Sequence, residues 1–246
     1  MEGWKAAALL AAALIIGLWL WKTRKKREYQ RSEYRAETRK RYKKVESSTG
    51  TEGEYETSLA LEKRVRGKRR FVFNAYIPCR SGASTETDIV MIHEKGIFVI
   101  ENKNYYGQVK GRADREYWEQ IVSGRRKWFY SPIYQNQGHI RHLRRLLEEE
   151  GCRRLPMVSV VVFNDRLKRL QVRKKGRDVI VCKSRRAAGK INRRLRHMET
   201  VLDDEQLEKI YELLKEQTRP FWWVRRGQKK RAARLQKQSQ KFVKKS

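Results

Sequence analysis

An unbroken apolar run from Ala6 to Trp21, followed at once by Lys22, Arg24, Lys25, Lys26 and Arg27, constrains this chain more than any other feature. Crossing a bilayer takes about 20 residues at about 1.5 Å rise per residue. The stretch from Trp4 to Trp21, apolar except for Lys5, is just long enough. Trp4 stands at one end and Trp19 and Trp21 at the other, where interfacial aromatics belong. A cleaved signal peptide is the competing reading. It calls for a small-residue site after the run, where this chain has bulky Trp21 and a cationic cluster. The pattern therefore predicts an uncleaved single-pass anchor over residues 1–21. By the positive-inside bias, the N-terminus lies outside and the C-terminal domain in the cytoplasm of a cell membrane.

The remainder carries an extreme charge. Sixty Lys and Arg against 28 Asp and Glu give a formal net charge of +32 over 246 residues. Such a field repels itself unless something anionic screens it, so the expected partners are nucleic acid (DNA or RNA) and an anionic membrane surface. A hydrophobic fraction of 39% supports a real core and excludes wholesale disorder. Cys79, Cys152 and Cys182 are odd in number and far apart, which indicates neither a disulfide framework nor a zinc knuckle. His139 and His142 share a helix face without an evident third ligand and read as ordinary polar residues. The oligomeric state is not legible.

Residues 22–46 are basic, lack an apolar stripe and include Glu28, Glu33 and Glu37, so they read as a solvated stalk near anionic head groups. Ser47 to Gly50 marks the start of a domain spanning 47–219. Thr51 and Glu54 fit a capping box that opens a helix to about Arg66. Strands are predicted at Phe71–Ile77, Thr87–His93, Gly96–Ile100, Gln108–Lys110, Tyr117–Val122, Lys127–Tyr130, Met157–Phe163 and Val179–Cys182. The apolar run Met157–Phe163 suits a strand buried on both faces in parallel pairing. Helices are predicted from Pro132 to about Glu150, from about Arg185 to His197, and from Asp203 to Gln217. The expected class is α/β: a mixed β-sheet flanked by helices, behind one N-terminal transmembrane helix. The tail from 220 to 246 pairs Phe221, Trp222 and Trp223 with ten basic and no acidic residues from Arg225 onward. Membrane contact, nucleic-acid contact and a disordered tail whose aromatics pack back on the domain all remain open for it.

The chemistry centres on one hairpin. A turn symmetric about Glu94 and Lys95 sets His93 opposite Gly96, Ile92 opposite Ile97, and Asp88 opposite Glu101. Opposed side chains share a face with Cβ atoms about 4.5–5.5 Å apart, and strand periodicity adds Lys103 to that face. Two carboxylates so close repel each other; Lys103 offsets part of this, and a divalent cation offsets more. Lysine beside such an ion can orient an attacking water and stabilise charge on a phosphorane. The other reading is that Asp88 ends a loop and Glu101–Lys103 is a solvated edge pair.

Gly53-Glu54, Thr87-Asp88-Ile89-Val90, Gly96 to Asn104, Gly107-Gln108-Val109-Lys110-Gly111, Trp118, and Pro132 to Gln135-Asn136 together resemble the nuclease-related domain family. That family is similar to the PD-(D/E)XK nucleases, so the resemblance implies a restriction-endonuclease-like core and hydrolysis of nucleic-acid phosphodiester bonds with Mg²⁺ or Mn²⁺. It implies Asp88 and Glu101 as metal ligands, helped by the Asn102 carbonyl, and Lys103 as the catalytic lysine. Glu54 would add an acid from the first helix, unless it only completes the capping box. Gln135 would support the site, unless it only caps its helix. No proline precedes Asp88, but that proline does no chemistry.

Overall fold

A computed structural model describes residues 3–80, 82–152, 155–173 and 176–218. The side chain of Trp4 and the aromatic and basic tail, Phe221, Trp222 and Trp223 included, lie outside the described residues.

Helix α1 (Gly3–Arg31) is long and apolar enough to cross a membrane, and Leu9, Leu14, Ile15, Trp19 and Trp21 stand exposed along it. The segment expected as a solvated stalk is different. After Arg31 it folds into two short helices, α2 (Glu33–Thr38) and α3 (Tyr42–Glu46). Tyr29, Tyr34 and Val45 are fully buried in the main core. Most of the charges that mask an apolar stripe in the sequence are exposed, while two tyrosines and a valine at irregular spacing point in. Helix α4 (Thr49–Arg64) starts two residues before Thr51, with Ser48 at its N-cap and no side-chain cap hydrogen bond. The expected capping box is therefore not made.

Strands β1 (Arg69–Pro78), β2 (Ser84–His93) and β3 (Gly96–Lys103) form an antiparallel meander. The β2–β3 register pairs His93 with Gly96 and Ile92 with Ile97, as the symmetric turn predicts, and runs to Ile89 with Ile100. A second sheet begins at β4 (Gly107–Arg112) and continues through β5 (Tyr117–Val122) and β6 (Arg125–Tyr130). Helix α5 (Pro132–Glu149) starts at an N-cap made by Ser131. It leads to β7 (Met157–Phe163), which pairs parallel to β3 as its apolar run implies. Strand β8 (Leu167–Arg173), not expected from the sequence, joins the second sheet parallel to β4. Strand β9 (Val179–Lys183) closes the first sheet beside β7. Helices α6 (Ala187–Leu195) and α7 (Asp204–Glu216) follow, the latter with the Asp203–Gln206 capping box in place.

The result is a mixed α/β fold with two mixed sheets, ordered β1-β2-β3-β7-β9 and β6-β5-β4-β8, where one sheet was expected. The five-stranded sheet is covered on both faces. One face packs Phe98, Ile100 and Val160 against Leu61 of α4 and Ile191 of α6; the other packs Ile97 and Val99 against Leu143 of α5 and Ile210 of α7. The smaller sheet meets the larger through Val109, Trp118 and Phe129 against Val161 and Phe163. Strands β4 and β8 thus continue from the carboxyl ends of β3 and β7, where the chain crosses from one sheet to the other.

Candidate active site

A cleft of about 230 Å³ opens at the carboxyl end of β3, lined by Gly50, Gly53, Glu54, Asp88, Glu101 and Lys103, among others. Three elements supply its chemistry. The hairpin brings Asp88, Glu101 and Lys103; α4 brings Glu54; α5 stands alongside with Gln135 and His139.

Glu101 is 3% exposed and fully engaged. Its Oε1 accepts from Lys103 Nζ at 2.7 Å and from Gln135 Nε2 at 2.8 Å, and its Oε2 lies 3.2 Å from His139 Nε2. Lys103 Nζ also donates to Gln135 Oε1 at 2.9 Å, closing a small ring. Asp88 Oδ2 accepts from the Asn102 backbone N–H at 2.7 Å, so Asp88 and Glu101 meet across the end of the ladder. Glu54 Oε2 accepts from Tyr34 Oη at 3.0 Å and from Asn74 Nδ2 at 3.3 Å, with Lys40 Nζ 3.6 Å away.

The electrostatics divide the two carboxyls. Burial pushes Asp88 well above the usual carboxylate range, and the charges of Glu101 and Glu54 push it further. Burial would raise Glu101 too, but the Lys103 charge and the His139 hydrogen bond outweigh it and hold Glu101 below its ordinary value. Burial works against the Lys103 ammonium as well, yet Glu101 more than compensates and its pKa rises. The cleft thus holds an ionised Glu101–Lys103 pair beside a carboxyl that resists ionisation.

All the residues singled out in the sequence converge here: Asp88, Glu101, Asn102, Lys103 and Glu54 line the cleft, and Gln135 binds two of them. His139 was missed. It is 4% exposed, with Thr85 Oγ1 2.9 Å from its Nδ1, and it orients Glu101 rather than serving as an ordinary polar helix residue. The signal available was its position four residues after Gln135, on the same helix face. Tyr34, Lys40 and Asn74 were missed as well, the first two because they lie in the supposed stalk. Among the described residues no group of three or more His, Cys, Asp or Glu suited to holding a metal ion occurs.

The family model of the nuclease-related domain matches residues 49–164. That stretch is similar to the nuclease-related domain family. It runs from α4 through β7 and contains every residue of the Asp88–Glu101–Lys103 cluster together with Glu54, Gln135 and His139. The matched stretch does not contain β8, β9, α6 or α7, which complete the core around it. An uncharacterized protein of Bacillus anthracis is 30% identical over 140 residues, covering 56% of this chain and 64% of that protein. The chain therefore spans somewhat under two thirds of that relative's length. No solved structure matches the chain.

Proposed function

We propose that the chain is a membrane-anchored nuclease of PD-(D/E)XK type that hydrolyses nucleic-acid phosphodiester bonds on the cytoplasmic side, with Mg²⁺ or Mn²⁺ as cofactor. The observation that carries this reading is the convergence of Asp88, Glu101, Lys103 and Glu54 on one cleft inside a nuclease-related domain. Donor chemistry fits the ion: Glu54, Asp88 and Glu101 are among the residues lining the cleft, and carboxylate oxygens suit hard cations. Burial first, and the charges of Glu101 and Glu54 second, raise the Asp88 carboxyl, and a bound divalent cation would favour its ionised form.

Asp88, Glu101 and the Asn102 carbonyl would hold the ion, which supplies a more acidic bound water and neutralises phosphate charge. Gln135 and His139 fix the Glu101 carboxylate from its two sides. Lys103, clamped between Glu101 and Gln135, orients the attacking water and offsets negative charge as it builds on the phosphorane. The basic surroundings draw the polyanion in. Exposure of Leu9–Trp21 and the cationic Lys22–Arg27 flank support anchoring with the domain in the cytoplasm.

The test is cleavage of single- and double-stranded DNA and RNA by the full chain in detergent. Activity should require Mg²⁺ or Mn²⁺ and vanish with chelator. Asp88→Asn and Glu101→Gln should abolish it, while Lys103→Ala should bind metal and lose turnover by about 10²–10³-fold. A second reading is favoured by one observation: Glu101 is already satisfied by Lys103, Gln135 and His139. In that reading the domain is a non-catalytic nucleic-acid-binding adaptor or membrane scaffold that uses the same fold. A folded, metal-loaded chain that cuts none of the four substrates would leave only this second reading.

A further inference from the structure

Lys40 lies in the membrane-proximal segment, nine residues before the nuclease-related domain begins, yet its side chain ends beside the candidate site. The route is specific. Helix α2 stops at Arg39, which adopts a left-handed conformation (φ 52°) and turns the chain inward. Tyr29 Oη donates to the Lys40 carbonyl at 2.6 Å and fixes its backbone. The Lys40 ammonium then donates to Tyr34 Oη at 3.1 Å and to Asn74 Oδ1 at 2.9 Å, 3.6 Å from Glu54 Oε2. Tyr34 is fully buried and donates its own hydroxyl proton to the same Oε2.

Asn74 completes the set. It is a non-glycine residue at φ 54° within β1, opposite Asp88 in a register bracketed by Phe73–Ile89 and Ala75–Thr87. A left-handed non-glycine residue costs energy, and such strain gathers at functional sites. Here it aims the amide so that Nδ2 reaches Glu54 while Oδ1 accepts from Lys40. All three groups address one oxygen of Glu54. Glu54 itself lines the cleft it shares with Asp88 and Glu101.

We propose that the membrane-proximal segment is a working part of the site: Lys40 and Tyr34, with Asn74, are positioning residues that hold Glu54 by Oε2 and aim it at Asp88 and Glu101. This rests on reading the cleft as a nuclease site. A nuclease-related domain cut free of its upstream segment would keep Glu54 but lose its orientation.

The experiment uses the full chain in detergent, with kcat and KM measured per folded molecule and Mn²⁺ affinity measured separately by electron paramagnetic resonance. Lys40→Met and Tyr34→Phe should each lower kcat by about 10-fold and weaken Mn²⁺ binding, with KM little changed, as loss of an outer partner does. Lys40→Arg should restore most of the loss. In a Glu54→Gln background, Lys40→Met should cost almost nothing more, because both act through one carboxylate. Wild-type kcat and Mn²⁺ affinity in Lys40→Met and Tyr34→Phe, or equal losses in both backgrounds, would overturn the proposal while leaving the nuclease reading intact. If the wild type binds Mn²⁺ without cutting, the same four-way comparison of Mn²⁺ affinity decides. A wild type that neither binds Mn²⁺ nor cuts removes the nuclease reading and this proposal with it.

Discussion

His139 shows how a buried polar residue can matter without touching a ligand. Its two ring nitrogens lie against Thr85 and Glu101, so His139→Leu strands both partners in the interior. The expected result is a loss of about 1–3 kcal/mol in urea unfolding, with a parallel fall in cleavage per folded molecule. Gly111 is constrained by shape instead: a Cβ there would fall on the Trp118 ring, which is itself buried. Gly111→Ala should cost about 1–3 kcal/mol through displacement of that ring, and near-ultraviolet circular dichroism should register the change. His93 carries a pH dependence. Burial lowers its pKa while the ring bridges Arg66 O and Lys95 N–H. Its folded form stays neutral, so the unfolded chain takes up a proton first, below about pH 6.5, and stability falls as pH drops through that range. The advantage of wild type over His93→Gln in urea should therefore shrink between about pH 8 and about pH 5. The hairpin register was legible at this scale because periodicity and a two-residue turn fix which side chains meet. The partners of Glu101 and Glu54 were not, since Gln135, His139, Lys40 and Asn74 come from elements whose packing no local pattern specifies.

At the scale of elements, the strongest patterns were read correctly and the mixed ones were not. Met157–Phe163 is apolar throughout and forms the parallel strand it implies. Leu167–Arg173 sets Leu167, Leu170 and Val172 among cations at uneven spacing; it is an edge strand, half exposed, and carries no clean alternation. The second sheet was missed for the same reason, since the strands β4, β5 and β6 were seen but not their separation from the first sheet. The segment that follows α1 is the largest departure. Because Tyr29, Tyr34 and Val45 sit in the main core, where to cut the chain matters. A chain starting at Lys26 should unfold cooperatively like the full domain. One starting at Ser47 loses two buried tyrosines and a valine, each contributing about 1.5–3 kcal/mol, and should be several kcal/mol less stable in urea. Equal stability of the two would show that the segment is only laid against the domain.

For the whole molecule, the question is how a net charge of +32 is disposed relative to a membrane. If α1 is the anchor, the full chain should resist carbonate extraction, and protease added outside intact cells should leave the domain whole; recovery of a soluble, N-terminally processed form would remove the anchor. A tethered domain would face two polyanions at once, the lipid head groups and any nucleic acid that reaches the cleft. Both interactions would be dominated by counterion release and should weaken steeply as salt rises. Arg225–Ser246 contributes ten cations and no anions, a block large enough to be resolved from the rest. Removing it should flatten the slope of log affinity against log salt for duplex DNA by up to about 9, the value for full engagement of all ten. Vesicles with and without anionic lipid separate the two partners. A tail that lies on the membrane leaves the DNA slope unchanged when removed and lowers affinity for anionic vesicles alone. A tail that grips nucleic acid does the reverse, and should do so equally for wild type and for Lys103→Ala, because phosphate contacts made by the tail are independent of chemistry at Asp88 and Glu101.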